Sequence, residues 1–285
     1  AWSQHYRLSY NLKLISAECS ALTGELEKTE ELYQALMLNA QSDLEKAQLC
    51  LNQLILFFGQ GKWEQAITIG EQGLSFCELF IPETTQDLEL ALTETKNQLA
   101  QHLNHTPISK INQLPEMHNP IKQVAMNLLV NLGTCNMVIG KTQLLRLCAR
   151  QALILTFKYG KTDLSALTLA IYALLKALDR QHELAIEAAE QALYIMESYP
   201  NCREASNILN ILSTTVLHYQ KPLQQVRRLH QQGYQKGLLS GEFLRAVINL
   251  NNELHIQFCQ GDKFSECDSA LTLKMIKVSF NKAFC

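Results

Sequence analysis

The chain has 285 residues, of which 47% are hydrophobic and 18% charged, and its formal net charge is −2. That balance is too apolar for a disordered segment and lacks the basic excess of a nucleic-acid binder, so it argues against both classes. Only 12 Gly and 6 Pro interrupt a sequence rich in Ala, Leu, Gln, Glu and Lys, and no run reads as a strand, so long helices are expected.

In residues 6–22 the positions Leu8, Leu12, Ile15, Cys19 and Leu22 follow helical periodicity, and Gly24 closes the segment. A second helix is expected over 25–40. Ser42-Asp43-Leu44-Glu45 reads as a capping box, the Ser42 hydroxyl accepting from the Glu45 amide and the Glu45 carboxylate reaching back to the Ser42 amide. The helix it starts reaches Phe58. Residues 59–74, GQGKWEQAITIGEQGL, then form a joint: Gly59 and Gly61 stop one helix, and Trp63, Ala66, Ile67, Gly70 and Leu74 recur at the spacing of the next, which is expected to run to about Phe80 before Pro82. Residues 83–104 give a helix outside the repeat template, and 105–120, with three prolines, form a connector.

Asn119 and Pro120 supply an N-cap and a first-turn proline for a helix to about Ile139. Residues 123–140 form the least charged segment and approach the length of a membrane span, but Asn127, Asn131, Thr134 and Asn136 suit a helix packed among protein neighbours. Helices are expected over 143–159, 163–178 (capped by Thr162), 181–199, 201–219, 222–239 and 242–259, with a last one from about Phe264. The joint at 59–74 returns in degraded form at 180–193, where Glu190-Gln191-Ala192-Leu193 matches Glu71-Gln72-Gly73-Leu74, and Ala185 and Ala189 match Ala66 and Gly70. Gly24, Gly61, Arg180, Gln220 and Gly261 align at one loop position, about 40 residues apart where nothing is inserted. Two helices in such an interval cannot bury their own apolar faces, so successive pairs stack. Trp63 is expected to wedge between the helices of its pair, while small residues at Gly70 and Gly73 let the neighbouring helix approach.

The stretch GQGKWEQAITIGEQGL resembles a tetratricopeptide unit. W-x-x-H-Y-x-L-x-Y at 2–10, SDLEKAQ at 42–48, LPEM at 114–117 and KYG at 158–160 resemble, more specifically, the helical region of large bacterial signalling ATPases. The resemblance covers most of the chain to about Gln260, and the tail from Phe264 departs from it. It implies an all-α, tetratricopeptide-like, right-handed superhelix of antiparallel helix pairs with one concave surface. In that family the helical array follows a nucleotide-hydrolysing switch domain and accompanies protein kinase and histidine-kinase modules.

Several motifs invite catalytic readings. Gly140-Lys141-Thr142 and Gly160-Lys161-Thr162 imitate the end of a phosphate-binding loop, but the glycine needed five residues earlier is replaced by Cys135 and Leu155, so both read as inter-helix turns. His102 and His105 have metal-compatible spacing without an acidic or thiol partner beside them, and Glu253, His255 and Cys259 could converge on one helix face. Lys221, Arg227, Arg228, His230 and Lys236 form the densest basic stretch, read as a solvated face that could grip an acidic peptide. The nine cysteines are odd in number and scattered without a C-x-x-C pair, which points to reduced, buried thiols in a cytoplasmic protein. No signal peptide is evident, and the start at Ala1 suggests an excised or processed chain.

Tetratricopeptide proteins commonly bind extended peptides with first-helix residues at fixed offsets before the loop. Carried over, those offsets select Asn207, Asn210 and Thr214 in one repeat, Ile248, Asn251 and His255 in the next, and the more apolar Gln48, Leu51 and Ile55 near the N-terminus. Asn offers a donor and an acceptor, so a ladder of Asn can hold peptide backbone; the alternative is that these residues solvate exposed faces. The expected organisation is helical repeats with an inserted helix over 1–104, the connector at 105–120, and further repeats over 121–285. The expected role is a non-catalytic protein–protein interaction or sensing module without cofactor or metal. Its partner would be a protein or peptide, including adjacent ATPase or kinase domains of a larger chain, and neither nucleic-acid binding nor membrane insertion is expected. The alternative is a stand-alone adaptor or secreted bacterial effector that captures a partner protein.

Overall fold

The computed structural model describes residues 5–262. Trp2, Cys267, Cys285 and the helix expected from Phe264 lie outside the described residues. Within them the chain is all-α, with twelve α-helices, two short 3-10 turns and one isolated bridge. Contacts group it into two units. The first holds the described residues up to Gln98 together with Met117–Leu155; the second holds Leu99–Glu116 and the described residues from Thr156 onward. The division therefore leaves the 105–120 connector in the second unit up to Glu116.

In the first unit, α1 (Tyr6–Thr23) and α2 (Leu26–Asn39) form a hairpin through Gly24, and Tyr10 and Ala17 pack with Tyr33, Leu36 and, on α3 (Asp43–Gly59), Leu49. The Ser42 hydroxyl accepts from the Glu45 amide at 3.2 Å, but the other half of the expected capping box is different. Glu45 reaches past Ser42 to the Gln41 amide at 2.7 Å, and its carboxylate also accepts the Tyr6 hydroxyl at 2.7 Å. A tertiary partner on α1 thus shares the side chain that local pattern assigns to the cap alone.

At the next joint Gly61 takes a left-handed φ of 73°, and the Trp63 ring meets Phe58 edge-on at 5.0 Å. Helix α4 (Trp63–Ser75) packs against both α3 and α6 (Pro120–Val138). It ends at Ser75, before the expected Phe80, because Glu78 turns left-handed (φ 62°) while the Cys77 and Leu79 amides donate back to the Leu74 carbonyl. The helix that follows, α5 (Thr85–His105), is started by Thr84, whose hydroxyl accepts from the Asp87 amide at 3.1 Å. Asn119 caps α6, accepting from the Lys122 amide at 3.3 Å. Asn131, Thr134 and Asn136 of that helix each donate to a carbonyl four residues back, which lets polar side chains lie among buried neighbours. Among the described residues no helix is long and apolar enough to cross a membrane. Helix α7 (Thr142–Tyr159) follows the turn at Gly140, and its Arg150 guanidinium donates to the Leu92 carbonyl of α5 at 2.8 Å.

In the second unit the 3-10 turn Ile108–Gln113 buries Ile108 and Ile111 and contacts α9 (His182–Ser198). Thr162 starts α8 (Asp163–Leu178), with its hydroxyl accepting from the Leu164 amide and the Ser165 hydroxyl accepting from the Thr162 amide. Helices α8 and α9 pair closely, and Ala185, Ala188, Ala189 and Ala192 of α9 are buried. Helix α10 (Ala205–Thr215) begins four residues later than expected. It ends before a 3-10 turn at Leu217–Tyr219, and α11 (Leu223–Ser240) and α12 (Phe243–Gln260) complete the unit. Helix α10 contacts α8, α11 and α12, so adjacent helix pairs pack in a repeat-like manner. Of the five aligned loop positions, Gly24, Gly61, Arg180 and Gly261 are left-handed. Gln220 is not (φ −113°), because the 3-10 turn carries the chain into that loop differently.

Gly70 shows how tightly the first unit is assembled: a Cβ there would lie 2.6 Å from Leu54 Cδ1 and 2.8 Å from Leu132 Cγ. At Gly73 it would lie 2.8 Å from Cys50 Cβ. Helix propensity alone favours Ala over Gly by about 1 kcal/mol, but Leu54 and Leu132 are fully buried, and overpacking a closed core costs roughly 1–3 kcal/mol. Gly70→Ala is therefore expected to lower stability by about 1–2 kcal/mol in urea unfolding. Gly59→Ala, at a helical position with nothing within 4 Å, leaves stability unchanged or raises it.

Candidate interaction surface

Two of the three sets selected by repeat offset fall on α10 and α12, and the structure sorts them. Asn210 is half-buried and Thr214 exposed. Both accept from the Asn252 side-chain amide of α12, at 2.8 and 3.3 Å. Asn252, not Asn251, is thus the residue that meets the α10 row. Asn251 and His255 are exposed one step further round α12, and Ile248 is half-buried. The one-residue difference between the two helices has a local cause. Offsets counted back from the loop assume two equivalent helix ends, but α10 stops at Thr215 and finishes through a 3-10 turn, whereas α12 runs unbroken to a left-handed Gly261. Asn207 is 4% exposed, and its amide donates to Glu204 at 3.3 Å, so it belongs to the interior and not to the surface row. Burial, then Glu242, raises the Glu204 carboxyl above its ordinary range.

In the first unit the third set stands apart. Gln48 donates to Asn52 at 3.1 Å, Leu51 is buried and Ile55 is exposed. The repeat-joint residues Ala66, Gly70 and Gly73, and Ala185 and Ala189 in the second unit, are buried in helix contacts, while Gly61 lies in its turn and Trp63 is half-buried.

Beneath the α10–α12 row lies a polar layer that periodicity does not reveal. Asn249 is fully buried; its amide nitrogen donates to the Ser206 carbonyl at 2.9 Å and to the Ser206 hydroxyl at 3.2 Å. That leaves its oxygen facing His230 Nδ1 at 3.0 Å, so His230 carries its proton on Nδ1 and donates. Gly233 makes the space, since a Cβ there would lie 2.5 Å from Asn249 Oδ1. Glu253, 1% exposed, accepts from Gln231 at 2.7 Å and Gln257 at 3.4 Å, and faces Arg227 at 3.6 Å. Arg227 also pairs with Asp262 at 3.2 Å. The signal available in sequence was the N-L-N-N run at 249–252: three residues apart, Asn249 and Asn252 share a helix face with one aimed inward and the other at the rim.

The same geometry dissolves two other constellations. Glu253 turns into α11 while His255 and Cys259 are exposed, so the three do not converge. The basic stretch divides as well: Arg227 is engaged with acids and His230 is buried, leaving Arg228 and Lys236 beside Gln231, Gln232 and Gln235 on an open surface depression. His102 stacks on Phe157 with ring centroids 5.4 Å apart, and its pKa is lowered by burial, Lys158 and His105. No group of three His, Cys, Asp or Glu able to hold a metal occurs among the described residues. Both Gly-Lys-Thr sequences lie in the turns before α7 and α8. Cys50, Cys77, Cys135, Cys148 and Cys202 are buried thiols, and desolvation pushes Cys50 and Cys148 up to about 12, which removes their nucleophilic form at neutral pH.

The motifs quoted for the family resemblance meet in two joints. In the first unit Tyr6 bonds Glu45, joining the first motif to SDLEKAQ. In the second, LPEM meets the residues around KYG. The Lys161 amide donates to the Pro115 carbonyl at 2.8 Å, and the Lys161 ammonium pairs with Glu116 at 2.6 Å. The Tyr199 hydroxyl also donates to Glu116, at 2.6 Å. Gly160, at φ 106°, approaches so closely that a Cβ would lie 2.9 Å from the Glu116 carbonyl carbon. Comparison with protein-family models, with curated proteins and with solved structures finds no match.

Burial holds the His230 pKa below its ordinary 6.5 against the opposing pull of Asn249 and Glu253. The unfolded chain therefore takes up that proton first as pH falls. The stability His230 contributes is kept above about pH 6.5 and lost as pH falls through its depressed folded value. Urea unfolding at about pH 7.5 and 5.5 is expected to show a smaller pH-dependent loss for His230→Gln than for the parent chain.

Proposed function

We propose that this chain is a non-catalytic interaction or sensing module that holds a protein or peptide segment across the α10 and α12 surface. The observation that carries the reading is the row of hydrogen-bonding side chains there: Asn252 bonded to Asn210 and Thr214, with Asn251 and His255 exposed beside it. An amide supplies donor and acceptor from one group, which suits the alternating polar groups of an extended backbone and reads little of its sequence. The buried layer beneath, from Ser206 through Asn249 to His230, fixes the helices that carry the row, so the surface is presented preformed.

The narrower proposal places the module in bacterial signalling proteins, as a cytoplasmic, right-handed α-α superhelix between a switch ATPase and its outputs. Its support is the meeting of the resemblance motifs in two joints: residues that are distant in sequence, 39 apart at Tyr6–Glu45 and 45 apart at Glu116–Lys161, act as matched halves of one packing device. Buried, reduced thiols agree with a cytoplasmic setting.

A displayed library of extended peptides selected on the purified chain is expected to return binders. Two lost hydrogen bonds to the peptide are worth roughly 1–3 kcal/mol, so the Asn210→Ala, Asn252→Ala double variant should bind them about tenfold or more weakly while staying folded, its melting temperature lowered slightly by loss of the Asn252 bonds to Asn210 and Thr214. Equal binding by the parent, the double variant and Asn251→Ala removes the row as the binding surface.

A further inference from the structure

Helix α1 (Tyr6–Thr23) has two apolar faces, and the described residues bury one. Tyr10 and Ala17 are buried against Tyr33, Leu36 and Leu49. The other face is the periodic set that marks the helix in the sequence. On it Leu8 is 60% exposed, Leu12 56%, Ile15 56% and Leu22 88%, with Cys19 exposed among them. The steps along the row are four, three, four and three residues, the heptad spacing by which one helix lies along another. Single exposed leucines need no explanation, but a row of them on one helix is an interaction surface.

Symmetry and charge identify what fits it. The row is nearly palindromic about Ile15, with Leu8 and Leu22 seven residues to either side and Leu12 and Cys19 three and four. Helical geometry sets Arg7, Asn11 and Glu18 along one flank of the row and Ser9, Ser16 and Thr23 along the other. In an antiparallel pair, like flanks face each other. Arg7 and Asn11 of one copy then stand toward Glu18 of the other, twice over, while the small hydroxyl residues meet on the opposite side and permit close approach. A parallel pair sets Glu18 beside serines and gains neither charge contact. Antiparallel macrodipoles add to the preference. A strip along an 18-residue helix buries on the order of 500 Å² per copy, roughly 1,000 Å² in total, at the lower edge of specific association. The pairing is accordingly reversible. We propose that α1 is a homodimerisation surface on which a second copy packs its own α1 antiparallel, with the twofold axis at Ile15.

Sedimentation velocity of the full chain over about 1–200 µM tests this. The parent is expected to shift from monomer to dimer with concentration. Leu12→Glu and Ile15→Glu, both at exposed positions, should keep the parent's circular dichroism melt and weaken association at least tenfold. In a Cys19→Ser background, oxidised glutathione is expected to link two copies through Ile15→Cys, at the axis, with the bond mapped by mass spectrometry. Leu22→Cys, roughly 20 Å from its twin in the antiparallel pair, is not linked. A parent chain that stays monomeric throughout overturns the proposal. So does a dimer undiminished by Leu12→Glu, or linking through Leu22→Cys as ready as through Ile15→Cys.

Discussion

The packing of α3, α4 and α6 in the first unit rests on how closely α4 approaches its neighbours. Gly70 faces Leu54 and Leu132, and Gly73 faces Cys50 and Leu128, at separations where no Cβ fits. A helix paired with only one neighbour leaves apolar surface open, and α4 buries its surface against α3 and α6 together. The two glycines weaken α4 as an isolated helix and strengthen it as the middle of three, because dispersion and burial grow with close approach. In the second unit the α9 alanines Ala185, Ala188, Ala189 and Ala192 occupy the same kind of contact, and Gly233 and Gly237 of α11 face Asn249, Ser206 and Ala246.

The last helices of the second unit solve a different problem. Between α10, α11 and α12 a polar layer accompanies the apolar cluster of Tyr234, Ala246 and Leu250, and it is built from matched groups: Asn249 with Ser206 and His230, and Glu253 with Gln231 and Gln257 by hydrogen bonds and with Arg227 as an ion pair. An unmatched amide or carboxylate in such a place costs several times what a matched one contributes, so the network penalises any other helix register more than it stabilises this one. That selectivity fixes which face of α12 lies beside Asn210 and Thr214, and hence which residues form the surface row. The structural layer and the proposed binding surface are two sides of one arrangement.

The joints made by the resemblance motifs carry the same lesson. Glu45 and Glu116 each accept a tyrosine hydroxyl from a distant part of the chain, Tyr6 and Tyr199 respectively; Glu45 also anchors a local helix start at Gln41, whereas Glu116 holds the likewise distant Lys161. At Glu45 local and tertiary structure thus share one side chain, and at Glu116 two distant segments do. The two surfaces proposed for binding lie elsewhere, in the α10–α12 row and in the apolar row on α1.

The sequence by itself determined the all-α class, most helix boundaries to within a few residues, the caps at Ser42, Asn119 and Thr162, and the small-residue joint at 59–74. These follow from interactions a few residues apart, which spacing records. It did not determine the ends of α4 and α10, because a left-handed Glu78 and a 3-10 turn at Leu217–Tyr219 depend on what the chain turns toward. Nor did it tell which apolar row of α1 is buried, since Tyr10 with Ala17 and Leu8 with Leu12 are equally helical, and only contact with Tyr33, Leu36 and Leu49 decides between them. The same holds for Asn252 against Asn251: adjacent residues on a helix point about 100° apart, and the choice between them is made by Asn249 seating itself on Ser206 and His230, a long-range pairing that no local pattern encodes.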